Sequence, residues 1–229
     1  MTTDADPLEP PDNNGDHLGR VVARAAVAAV PFLGGAALEL YDGALREPLA
    51  RRTAEWMQTV ADKLREHEVR FTELGERADF ITAMVQCARS AQGTHNEDKL
   101  TALRNAVVNV ALNPDLADEE TAYFLSLVDQ LAPSEMRLLV YLSDPPAWVG
   151  RRGIHFPSWG MGGIATAIEF ALPEFSGRRE TYDLYGRDLY SRGLISTANF
   201  HTTVTGPSIT ESIGTHLGLR FVDFVSEAA

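Results

Sequence analysis

Apolar residues recur at helical spacing through most of the first 132 positions. The pattern predicts a first helix from Leu18 to about Val30. Pro31 ends or kinks it, because proline cannot donate to the preceding turn, and a second piece follows to about Ala44. Pro48 suits the first turn of the next helix. There Leu49, Trp56, Val60 and Leu64 share one face, while Arg51, Arg52, Asp62, Lys63, Arg65 and Glu66 form the wet one. Gly75 interrupts or follows a short piece, and Phe80, Ile81, Met84, Val85 and Ala88 predict another apolar face. Asn96 can cap a helix carrying Leu100, Leu103, Val107 and Val110, which Asn113-Pro114 stops. Asp118 can cap the next, with Ala122, Leu125, Val128 and Leu131. Nothing here alternates with the period of two that marks a strand, so residues 18–132 are expected to be all-helical.

From Pro133 the punctuation changes. Pro133-Ser134 opens a short helix, Glu135 to Leu142, with Leu138, Leu139 and Leu142 inward, and Asp144-Pro145-Pro146 ends it. Trp148 to Gly163 reads as a loop rich in arginine, glycine and aromatics, with a brief strand at Gly153 to Phe156. Helices are expected at Ile164–Leu172 and Arg179–Ser191, the second tolerating Gly186. Ile195, Thr197, Phe200, Thr202 and Val204 give a strand signal over Leu194–Val204. Gly206-Pro207 turns the chain into a second short strand, Ser208–Ile213. Thr215 caps a last helix, whose apolar content is Leu217, Leu219, Phe221, Val222, Phe224 and Val225.

Helix, helix, helix, hairpin, helix is the order of a winged-helix module. The residues that carry the likeness are Leu189-Tyr-Ser-Arg-Gly-Leu-Ile195, Ile209-Thr-Glu-Ser-Ile-Gly-Thr215, and Leu217-Gly218 with Phe221. Residues 133–229 resemble a winged-helix module on this basis, departing from it in the long loop Pro145–Gly163. The longer order resembles the abortive-infection alpha family of bacterial proteins. It rests on Val30-Pro-Phe-Leu-Gly-Gly35, Lys99-Leu-Thr-Ala-Leu-Arg-Asn-Ala106 and Ser134-Glu-Met-Arg-Leu-Leu139. That resemblance implies a role in bacterial defence against phage and brings no catalytic residues. The expected fold class is mainly α: an N-terminal helical bundle (18–132), then a winged-helix-like α+β module (133–229) with a short β-hairpin.

Composition narrows the partners. The 229 residues carry a net charge of −12, the wrong sign for a chain living mainly on nucleic acid or anionic lipid. Residues 1–17 hold five acids, three prolines and no base, and read as a solvated, disordered acidic tail. Residues 133–229 are the least acidic part, at −2, and their bases are all arginine. A single cysteine, Cys87, excludes an internal disulfide framework and suits a reducing, cytoplasmic setting. The apolar stretch Ala25–Leu38 has fourteen uncharged residues, short of the about 20 that span a bilayer. It reads as a buried, kinked helix pair or, alternatively, as part of an insertion-competent segment over 21–40.

The candidate chemistry is binding chemistry. Arg178, Arg179, Arg187 and Arg192 would face DNA from the third helix of the module, since arginine suits phosphates and guanine edges. Glu180, Asp183 and Asp188 lie among them and leave the segment at only +1. Gly160-Met-Gly-Gly-Ile-Ala165 fits a dinucleotide-binding pattern but needs a parallel sheet around it. Phe156-Pro-Ser-Trp-Gly160 has Phe156 where a nucleophile elbow needs glycine. Trp148, Phe156 and Trp159 beside Arg151 and Arg152 suit a binding surface, or else pack over the second helix of the module, Ile164–Leu172. No histidine pair has metal-ligand spacing. These features point to a non-enzymatic, cofactor-free regulatory or phage-defence-associated interaction protein. A protein partner or self-association through the N-terminal helices is expected. The alternatives are a DNA-binding regulator, which the charge disfavours, and a membrane-active effector using residues 21–40.

Overall fold

The structure is a computed structural model and describes residues 41–114, 116 and 118–228. The acidic tail and the apolar segment 21–40 lie outside the described residues. The protein is mainly helical, with one small two-stranded antiparallel sheet near its C-terminal end. It divides into two compact units. The first holds the described residues to His95 together with Val107–Thr121; the second holds Asn96–Ala106 and the chain from Ala122 onward. The boundary expected at 132/133 therefore falls inside the second unit.

In the first unit a π-helical turn, Tyr41–Leu45, leads into α1 (Arg46–Glu66). Thr53, Trp56, Val60 and Leu64 are its buried stripe, at the spacing that puts side chains on one face. Thr53 tolerates burial because its hydroxyl donates to the Leu49 carbonyl at 2.9 Å. α2 (Phe71–Leu74) is a single turn. α3 (Ala78–Gly93) packs on α1 through Phe80, Ala83, Met84, Cys87, Ala88 and Ala91. Ile81, expected on that face, is 45% exposed, since it sits one residue past Phe80 and is turned off the stripe. Arg77 ties α3 to the end of α4 (Glu97–Leu112), donating to the Val110 and Ala111 carbonyls at 2.8 and 2.7 Å. A cation there satisfies carbonyls that a helix C-terminus leaves open. The same guanidinium holds the Asp79 carboxyl below the usual carboxylate range.

The second unit is built round α6 (Pro133–Ser143), whose Leu138, Leu139, Tyr141 and Leu142 are buried. α5 (Asp118–Gln130) contributes Phe124, which meets Phe221 and Phe224 with centroids 5.6 and 5.3 Å apart. Lys99 donates to the Asp129 carbonyl at 2.6 Å and so closes the end of α5. α7 (Pro145–Gly150) occupies a stretch that reads as a stop followed by loop. Two prolines in the first turn cost little, because those N–H groups are unpaired anyway, and Asp144 caps the turn by accepting from the Ala147 N–H at 2.9 Å. α8 (Ile164–Ala171), α9 (Arg179–Ser191) and α10 (His216–Val225) lie close to their expected bounds.

The strands do not. β1 (Met161–Gly162) pairs with β2 (Val204–Thr205), in the register Met161 to Thr205 and Gly162 to Val204. No strand forms at 153–156, and no hairpin joins 194–204 to 208–213. What links those two segments is one bridge, Ile195 to Gly214, with a Ser196 N–H bond to the Ile213 carbonyl at 2.8 Å. The reason is local. Thr197 Oγ1 accepts from the Asn199 N–H, and Asn199 Oδ1 from the His201 N–H, at 3.1 and 3.2 Å. Such side-chain turns take backbone donors that a ladder would need. Pro207 then starts a 3₁₀ turn, Pro207–Ile209, where the second strand is expected. The turn at 197–201 lays Phe200, fully buried, against α9 at Gly186, where a Cβ would lie 2.4 Å from the ring. A glycine inside that helix is thus a packing requirement.

Candidate functional site

The eight residues singled out in the sequence fall into two groups on the second unit. Around α9, two of the four arginines are committed to carboxylates of their own helix. Arg179 pairs with Asp183 at 3.4 Å and Arg192 with Asp188 at 2.8 Å, both at the i, i+4 spacing. Arg192 also donates to Gln130 at 3.0 Å, and its carbonyl accepts from the Tyr123 hydroxyl at 3.4 Å, so it braces α5 against the end of α9. Arg178, at the position before α9, and Arg187 are exposed.

The second group surrounds the loop after α7. Trp148 is not on the surface: it is 6% exposed and meets Tyr141 edge to face at 6.2 Å. Arg152 covers it, with the guanidinium carbon 3.5 Å from the ring centroid and an N–H to the Trp148 carbonyl at 3.2 Å. Arg151 is exposed. Trp159 packs with Phe156 at 5.6 Å and with Phe170 of α8 at 5.7 Å, and Phe156 and Phe170 are 5.9 Å apart. This triad is only half hidden. Phe170 is 38% exposed, and the neighbouring Met161 is 72% exposed. Planar rings in edge and tilted contact give a stiff apolar surface, the kind on which side chains of a partner are anchored.

The glycine motif at 160–165 does not form a nucleotide cradle. Its Met161–Gly162 is itself the strand, the sheet is antiparallel, and Gly163 is needed because a Cβ there would come within 2.6 Å of the Phe200 carbonyl. Ser158 and His155 are both exposed, with no hydrogen bond between them among the described residues. Among the described residues no three His, Cys, Asp or Glu side chains gather as metal ligands.

Sequence reading misses two polar clusters. His201 Nε2 lies 2.8 Å from Asp183, and the Tyr182 hydroxyl donates to Glu169 at 2.8 Å. Burial, with the Glu169 carboxylate beside it, pushes the Tyr182 hydroxyl up to about 12. This network stitches α8, α9 and the 199–201 turn together. The other is Glu135, 5% exposed, whose Oε2 accepts from the Ala132 N–H at 3.2 Å while Oε1 meets no donor among the described residues. Burial first, and then the nearby Asp188 carboxylate, push its carboxyl up to about 7. Its place at the third position of α6, behind Pro133, is the one sequence signal that could have marked it.

No protein-family model, no curated protein and no solved structure matches this chain. Among the described residues no helix is long and apolar enough to cross a membrane.

Proposed function

We propose that this is a non-enzymatic interaction protein whose second unit grips a protein partner with the aromatic face Phe156–Trp159–Phe170. The observation that carries the reading is that this stiff aromatic triad stays partly open to solvent, with the highly exposed Met161 two residues past Trp159 and the exposed Arg151 at the start of the same loop. Tryptophan, phenylalanine, methionine and arginine are the residue types enriched at protein interfaces. The partner that fits presents an apolar side chain flanked by acidic ones. A regulatory or phage-defence setting in the bacterial cytoplasm rests on the abortive-infection alpha resemblance alone. The winged-helix reading is supported by the helix order α6, α8, α9, α10 and by the bridge Ile195 to Gly214, without an extended wing.

The DNA alternative draws less support, because Arg179 and Arg192 already answer Asp183 and Asp188. Non-specific affinity grows with the number of phosphates neutralised, and Arg178 with Arg187 supplies two. Anisotropy of a labelled duplex pool is therefore expected to stay flat at low salt. Salt-sensitive binding lost in Arg178→Ala with Arg187→Ala would replace the protein-partner reading with a DNA one.

A further inference from the structure

α4, α6, α7 and the end of α10 border an open cleft of about 240 Å³ that none of the aromatic triad lines. Its lining mixes apolar side chains, Ala102, Met136, Val140, Trp148 and Val225, with polar ones that include Asp98 and Ser226. Two guanidiniums line it, and their circumstances differ. Arg137 is already paired with two carboxylates, Asp98 and, at 2.8 Å, Glu174. Arg152 has no carboxylate partner among the described residues. It lies on the Trp148 ring, one N–H goes to the Trp148 carbonyl, and its remaining donors are uncommitted. Partial burial together with the charges of Arg151 and Arg137 works against the protonated form of Arg152, so an incoming negative charge relieves this corner. Stacking on the indole fixes the plane of the guanidinium, and a fixed planar fork is the geometry that reads a carboxylate.

We propose that this cleft is a ligand site for a carboxylate on a short apolar body, with Arg152 binding the carboxylate and Met136, Val140, Trp148 and Val225 holding the apolar part. The volume is below the about 300 Å³ at which drug-sized sites begin, so the ligand is small or is the end of a chain. Asp98, which also lines the cleft and pairs with Arg137, works against a second negative charge, so the ligand is a monoanion. The site does not depend on the aromatic face, so either can fail without the other.

The test uses the full chain labelled with ¹⁵N. Hexanoate is titrated while the Arg152 side-chain N–H and the Trp148 indole N–H are followed, assigned through Arg152→Gln and Trp148→Phe. Saturable shifts of both signals are expected, with affinity at least about tenfold weaker for acetate, which lacks the apolar body, and for 1-hexanol, which lacks the charge. Arg152→Gln is expected to lose about tenfold in hexanoate affinity at an unchanged melting temperature, because Arg152 is exposed and holds no other element in place. N-acetyl-alanyl-leucine binding more tightly than hexanoate assigns the site to a peptide C-terminus, and the reverse assigns it to a free acid. Absence of saturation by any of these carboxylates, equal affinity for hexanol and hexanoate, or undiminished binding by Arg152→Gln would overturn the proposal.

Discussion

Gly218→Ala is expected to destabilise the second unit by about 1–3 kcal/mol or more, although alanine is the better helix former. Gly218 sits in the first turn of α10, its N–H donating to the capping Thr215 hydroxyl at 3.0 Å. That hydroxyl donates in turn to the Gly193 carbonyl at 2.6 Å, and the Thr215 N–H bonds to the Leu194 carbonyl at 3.0 Å. The helix start is therefore docked directly on the 193–194 backbone. A Cβ on Gly218 would lie 2.0 Å from the Leu194 oxygen and 2.9 Å from its carbonyl carbon. These are main-chain atoms, so relief means moving the docked segment and losing the Thr215 bond. Overpacking of this kind costs about 1–3 kcal/mol or more, and the lost hydrogen bond about 1 kcal/mol. The gain in helix propensity is at most about 1 kcal/mol. Thermal unfolding should show a drop of roughly ten degrees. Gly150→Ala, with nothing within 4 Å of the new Cβ, is the control and should leave the midpoint nearly unchanged. Unaltered stability in Gly218→Ala would mean that α10 does not dock on Leu194 as described.

Glu135→Gln is expected to remove a pH dependence. The Glu135 carboxyl releases its proton near the ordinary 4.5 in the unfolded chain but near about 7 in the folded one. Between those values folding takes up a proton, so the contribution of this group is most favourable below 4.5, declines as pH rises and levels off above 7. Glutamine keeps an oxygen for the Ala132 N–H and carries an amide that can face Asp188 without repulsion, while Arg192 stays on Asp188. The variant should therefore match the wild type near pH 5 and exceed it by about 1–3 kcal/mol at pH 8. Urea unfolding of both proteins at the two pH values measures this. A variant less stable than the wild type at pH 8 would show that Glu135 is ionised and needed as a carboxylate.

The helices were legible because their burial follows one period. α9 has its expected bounds, Arg179–Ser191, and α10 starts where Thr215 caps it, since apolar residues fill one face of each. That no hairpin joins 194–204 to 208–213 was illegible for a specific reason. Thr197, Phe200 and Thr202 have strand propensity, but Thr197 and Asn199 spend their side chains on neighbouring N–H groups, and Phe200 finds a socket at Gly186 that no local window contains. α7 was hidden because Pro145-Pro146 reads as a stop while also being an acceptable first turn. The pairing of Arg179 and Arg192 with acids four residues away was readable from spacing alone. The cleft was not, because its walls come from residues as far apart as Asp98 and Ser226.

The protein-partner reading is tested most directly by a photo-cross-linking residue at Met161, beside the aromatic triad, with the same residue at the exposed Glu180 of α9 as reference. Both variants are made in cells as the full chain and irradiated. One discrete, protease-sensitive adduct at position 161, absent at 180 and lost when Arg151→Ala and Trp159→Ala are combined with the label, is the result expected. An adduct equally strong at both positions, one removed by nuclease, or none at 161 would contradict the account.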